Sequence, residues 1–198
     1  FLLFILITNE KIIIKRNLII NASISGILFH GMYLGGVFYS ISIGLPASIA
    51  ALIVSMQPIL TNIFAGPVLK EMVTWRQWLG IFLGFFGAIL VLGYDVGVNI
   101  PVNGLIFTFI SLLSVTTATL WQKKISDKLP LSISNFYQAL SASAFLLCLM
   151  FLFETPHIDL NLNFVLSMSW QIFVISFGAF TILMYLIKIG TASKTSNL

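Results

Sequence analysis

The sequence predicts an all-α polytopic membrane protein, and three observations carry that expectation. Of 198 residues, 59% are hydrophobic and only 8% charged, with a mean hydropathy of +1.05, so a surface in water could not be covered by polar side chains. Apolar residues fall into runs of roughly 20, the length that crosses a hydrocarbon core ~30 Å thick. All ten Lys and Arg sit between or beyond these runs, and only in alternate breaks.

The elements follow in order. Phe1 to Ile7 is apolar but too short to span, and it lacks the basic start and small-residue cleavage site of a signal peptide. It is expected to be the cut end of a helix. Complete spans follow at about Leu18 to Ile43, Leu45 to Val68, Trp78 to Tyr94, Val102 to Trp121, Leu131 to Phe153 and Phe164 to Ile187. The breaks carry turn residues: Gly44-Leu45-Pro46, Asp95 to Pro101, Lys128-Leu129-Pro130, and Thr155-Pro156 to Asn163. Leu18 to Val68 therefore reads as a tight helical hairpin.

Charge placement orients these spans. Lys11, Lys15 and Arg16 precede the first span, Lys70 and Arg76 follow the second, Lys123, Lys124 and Lys128 follow the fourth, and Lys188 and Lys194 follow the sixth. The alternate loops hold Asp95, Glu154 and Asp159 without a Lys or Arg. By the positive-inside rule the basic loops are expected in the cytoplasm, as in a bacterial inner membrane. Trp75, Trp78 and Trp121 lie near span ends, where amphipathic rings favour the headgroup layer, while Trp170 sits deeper. With basic residues in loops rather than in a patch interleaved with aromatics, membrane orientation explains the net charge of +4 better than a nucleic-acid partner.

An internal repeat is also visible. Tyr39, Ile43, Gly44 and Leu52 recur as Tyr185, Ile189, Gly190 and Leu198, each 146 residues later. Spans begin about every 29 residues, so that offset is worth about five spans. An odd number of spans inverts the second copy relative to the first, the arrangement of many transporters.

Candidate pathway residues are polar or small groups aligned at helical spacing inside apolar spans. Ser23, Gly26, His30, Tyr33 and Ser40 share a face of the first span. Ser48, Ser55, Pro58 and Asn62 do so on the second, with Gln57 and Thr61 beside them, and Ser134, Gln138, Ser141 and Cys148 on the fifth. Single Ser and Thr residues also serve helix packing in lipid, whereas Gln57, Asn62 and Gln138 carry amides that cost several kcal/mol if buried unpaired. His30 is the one His or carboxylate near the middle of a complete span, so a coupling proton would have it available. Pro58 removes a backbone donor and is expected to kink its helix. Gly80, Gly84 and Gly87 with Ala88 form a stripe expected to pack closely against a neighbour, and the lone Cys148 is expected to pack as well. Glu71 is expected to cap or pair near Lys70 and Arg76. No His-Glu-x-x-His, Gly-x-Ser-x-Gly, phosphate loop or in-span carboxylate pair is present, so neither an enzyme nor a cofactor or metal site is expected.

The stretch Tyr39 to Tyr94 resembles the hallmark segment of EamA-type transporters of the drug/metabolite transporter superfamily. It carries Gly44-Leu45-Pro46-Ala47, Ala50-Ala51-Leu52-Ile53, Gln57-Pro58-Ile59-Leu60-Thr61, Leu69-Lys70-Glu71, Gln77-Trp78-Leu79-Gly80 and Gly84-x-x-Gly87. Gly104, Gln122-Lys123-Lys124 and the tail from Gly190 resemble the opening of that family's second half. The resemblance implies ten helices in two inverted halves around a central cavity, worked by alternating access. This chain would hold six complete helices and fragments of two: residues 1–95 from the first repeat, lacking its first helix and most of its second, and residues 102–198 from the start of the second. The implied function is secondary transport of small organic solutes such as amino acids, metabolites or drugs, with export favoured. The alternative is a truncated, non-transporting remnant or helical scaffold. By position in the family, Tyr33, Ser55, Gln57, Pro58, Ser114 and Trp170 would face the cavity; with His30, Asn62 and Gln138 they make up the candidate set.

Overall fold

A computed structural model describes residues 15–70, 74–92, 100–126, 128–153 and 159–190. Its helices are α1 (Arg16–Ser42), α2 (Ala47–Leu69), α3 (Trp75–Leu92), α4 (Val102–Ile125), α5 (Leu131–Phe153) and α6 (Leu162–Ile189). All but α3 are long and apolar enough to cross a membrane, and α3 is apolar over the shorter stretch Trp75–Leu90. The chain is an all-α integral membrane protein, and the described residues contain no strand. The expected stub at Phe1 to Ile7, the end of the third span at Tyr94, Glu71, Asp95, Glu154 and the tail repeat position Leu198 lie outside the described residues.

The helix ends follow local chemistry. Gly44 takes φ 98°, a conformation that an L side chain resists, and turns α1 sharply into α2. Lys70 caps α2 in the left-handed region, its N–H donating to Gly66 O at 2.9 Å. At the start of α3 Gln77 Oε1 accepts from both the N–H and the hydroxyl of Thr74, each at 2.8 Å, which is the Gln half of a Thr-x-x-Gln capping box. Asn161 Oδ1 accepts from Phe164 N at 2.8 Å and opens α6.

Two helices change pitch. In α1 the stretch Ile27–Leu34 winds as a wider π-type helix between α-helical ends. In α6 the same happens over Gln171–Ala179, and Phe180 N–H donates five residues back to Ile175 O. Moved by the 146-residue offset, 27–34 becomes 173–180, which overlaps the wide stretch of α6 almost completely.

The core sits on α4, whose buried face reads Gly104, Thr108, Ser111, Val115, Ala118, Thr119 and Gln122. Small residues three or four apart let neighbouring backbones come close, which is how helices bind in lipid without a hydrophobic driving force. The buried α4 hydroxyls bond one turn back, Thr108 to Gly104 O, Ser111 to Phe107 O, Thr116 to Leu112 O and Thr119 to Val115 O, and Ser111 also reaches Met32 O of α1 at 3.3 Å. Phe29, Val115, Ala118, Met184 and Ile187 join α1, α4 and α6. Ala22, Leu129 and Ile133 seal α1 against α5 near the basic end, and Ala65 with Leu120 joins α2 to α4.

Two packing expectations fail. A Cβ added at Gly80, Gly84 or Gly87 would meet nothing within 4 Å, so the α3 stripe is not a close-packed seam of the described bundle. The reason lies in α2, which breaks at Ser55-Met56 and sends its second half onto α4, leaving α3 beside a groove. Cys148 is exposed, although Phe145 and Leu146 just before it still pack on Gly31 and Gly35 of α1.

Candidate functional site

Three features occupy the bundle, and seven of the nine candidate residues fall among them. The first is a groove of about 260 Å³ between α2 and α3, lined by Ser55, Pro58, Gln77, Gly80, Ile81, Gly84 and Phe85. It exists because Pro58 has no N–H for the carbonyl of Val54, so helical bonding lapses there. Met56 N bonds only three residues back to Ile53 O, and a fresh helix begins at Gln57. Ser55 Oγ turns inward to Leu52 O at 2.6 Å, while Asn62 Nδ2 donates to Pro58 O at 2.8 Å. The expected kink is thus present, with Pro58 in the first turn of the new helix rather than mid-helix.

The second feature is an aromatic contact between the wide stretch of α1 and Phe180, the residue that follows the wide stretch of α6. His30 lies edge-on to Phe180 with ring centroids 4.4 Å apart, and Phe29 meets the same ring at 5.7 Å. Tyr33 packs one turn on against the core of α1, α4 and α6 and touches Phe29 edge-on at 6.5 Å.

The third is a polar junction of α1, α4 and α5. Gln138 Nε2 donates to Ser134 Oγ at 2.9 Å and to Gln122 Oε1 at 3.2 Å, and that same Gln122 oxygen accepts from Ser25 Oγ at 3.3 Å. Gln122 and Gln138 have no exposed surface at all. Desolvated amides weigh several kcal/mol against folding unless paired, so these bonds offset the cost of burying Gln122 and Gln138 at the crossing. Gln57 extends the pattern to α2 by donating to Thr119 Oγ1 at 3.1 Å.

Of the remaining candidates, Ser114 is buried on α4. Trp170 is 61% exposed on α6 and is not brought to the others among the described residues. The sequence reading missed Ser25, Gln122 and Asn135. Gln122 looked like the polar end of a span beside Lys123-Lys124, yet the Gly104, Thr108, Ser111, Ala118, Gln122 periodicity of the fourth span already put it on the small, polar face. No group of three or more His, Cys, Asp or Glu able to hold a metal occurs among the described residues.

Residues 1–93 match the EamA-like transporter family. An uncharacterized transporter of Bacillus subtilis (strain 168), YvbV, is 28% identical over 181 residues, covering 90% of this chain and 57% of that protein. The chain therefore spans little more than half the length of its curated relative. No solved structure matches it.

Proposed function

We propose that the protein this chain belongs to is a secondary transporter of small organic solutes, a reading supported by the match of residues 1–93 to the EamA-like transporter family and by the similarity to an uncharacterized transporter. The solutes are amino acids, metabolites or drugs, moved by alternating access across a bacterial inner membrane, with export favoured and the basic loops in the cytoplasm. One observation supports this most directly: lipid-spanning helices carry fully buried side-chain amides at Gln122 and Gln138, where a helical scaffold would be better served by apolar residues. The paired change of pitch in α1 and α6, one repeat apart, accords with two inverted halves at residues 1–95 and 102–198. His30 is the group within the described spans suited to carrying a coupling proton.

The test is flux through the full-length gene product. Purified protein in liposomes, under an imposed proton gradient, is offered a panel of radiolabelled amino acids, metabolites and drugs. Accumulation of one class against its gradient, lost on collapsing the proton gradient, is the expected result. A folded protein that moves none of them would overturn the proposal.

A further inference from the structure

We infer that the crossing of α1 and α5 at Gly26 and Gln138 is a gate, held shut in this conformation by the polar junction around Gln122. The inference rests on the transport reading above, but its evidence is local. A Cβ on Gly26 would run into the backbone of Gln138, whose carbonyl carbon would stand 2.7 Å away, so the two helices meet main chain to main chain. One turn deeper a Cβ on Gly31 would meet Phe145 Cδ1 at 2.6 Å, which makes the closure two turns thick. Ser141 Oγ ties the same crossing by donating to Ser23 O at 3.0 Å. Toward the basic end, Ala22, Leu129 and Ile133 close an apolar plug behind it. Toward the other end the helices part: Phe151, Leu152 and Phe153 of α5 are exposed, and the first turns of α6 bury nothing.

What marks this seal as a moving part is that its hydrogen bonding is incomplete. Asn135 is 1% exposed, and neither its oxygen nor its nitrogen has a partner; Gln138 Oε1 is also unpartnered. A network built only to hold the fold would be satisfied throughout, because a half-satisfied polar cluster is worse than an apolar one. Groups left unpaired when the crossing is shut are those that gain partners when it opens. The closed state is therefore held only weakly below the open one, as a gate requires. Gly26 supplies the close approach, Gln122 and Gln138 supply the latch, and Asn135 supplies the bias against permanent closure.

The experiment uses the full-length transporter in cells with Cys148→Ser and a single reporter, Ala142→Cys, buried one turn past Gln138 and outside the polar junction, probed by a charged, membrane-impermeant thiol reagent from each side. The reporter is expected to react slowly from either side in the parent. Gly26→Ala, which cannot close, is expected to speed labelling from the basic face at least tenfold. Gln138→Leu, which removes the latch bonds to Gln122 and Ser134, is expected to speed it as well. Size-exclusion elution and thermal unfolding show that each variant is folded; Gly31→Ala, whose methyl meets only the Phe145 ring, is the milder substitute if Gly26→Ala is not. Rapid labelling in the parent, or unchanged labelling in a folded Gly26 or Gly31 variant, overturns the gate. The readout needs no substrate, so failure of the gate is distinct from failure to find transport.

Discussion

Gln57 and Thr119 join α2 to α4: the amide Nε2 donates to the threonine Oγ1 at 3.1 Å, and that hydroxyl in turn donates to Val115 O at 2.9 Å. The contact falls just past the break at Ser55-Met56, so it fixes the direction in which the second half of α2 leaves the break. Without it, the groove beside α3 would lose one wall.

Gln57→Leu is expected to destabilise the protein by about 1 kcal/mol, the usual scale for a hydrogen bond between helices in a membrane. Thermal unfolding in detergent should show a fall of a few degrees. A variant as stable as the parent would mean that Gln57 contributes nothing to anchoring α2.

Gly36 faces Ser111, and a Cβ there would collide with the Ser111 hydroxyl, which donates to Phe107 O at 2.8 Å. Gly36→Val should therefore cost roughly 2 kcal/mol or more by forcing α1 from α4. Combining it with Ser111→Gly should recover much of the loss, and a double-mutant cycle in detergent measures that coupling.

Gly80→Ala and Gly84→Ala should be neutral or stabilising, by up to about 1 kcal/mol each, because alanine favours the helix and open space receives its methyl. Measured together, a loss of several degrees in melting temperature would show that a further helix packs on this stripe in the full-length protein.

Asn135→Leu should raise stability by about 1 to 3 kcal/mol, since it removes two buried polar atoms that have no partner. Flux in the same variant should fall, because the shut conformation gains and the open one does not. A destabilised Asn135→Leu would show instead that the amide is paired in the resting protein.

Much of the fold was legible in the sequence, and for a physical reason. A helix in lipid must satisfy its own backbone, so apolar runs alone mark the spans, and Gly44 and Lys128-Leu129-Pro130 mark turns between them. The face of α5 bearing Ser134, Gln138 and Ser141 was also readable, because residues one turn apart share a side whatever they pack against. The same periodicity misled at Cys148, since it cannot say which positions of a face a neighbouring helix covers.

What the sequence determined by itself is the all-helical, membrane-spanning character of the chain and the edges of most spans, because hydropathy and turn chemistry act residue by residue. What only the tertiary structure decided is which polar faces meet. Gln138 found Gln122 rather than Gln57, the Gly80 stripe found open space, and Trp170 found no partner among the candidates. Those outcomes depend on how closely two particular backbones approach, as at Gly26 and Gln138, and on where a broken helix points after Pro58. Neither distance nor direction is written in the period of one helix.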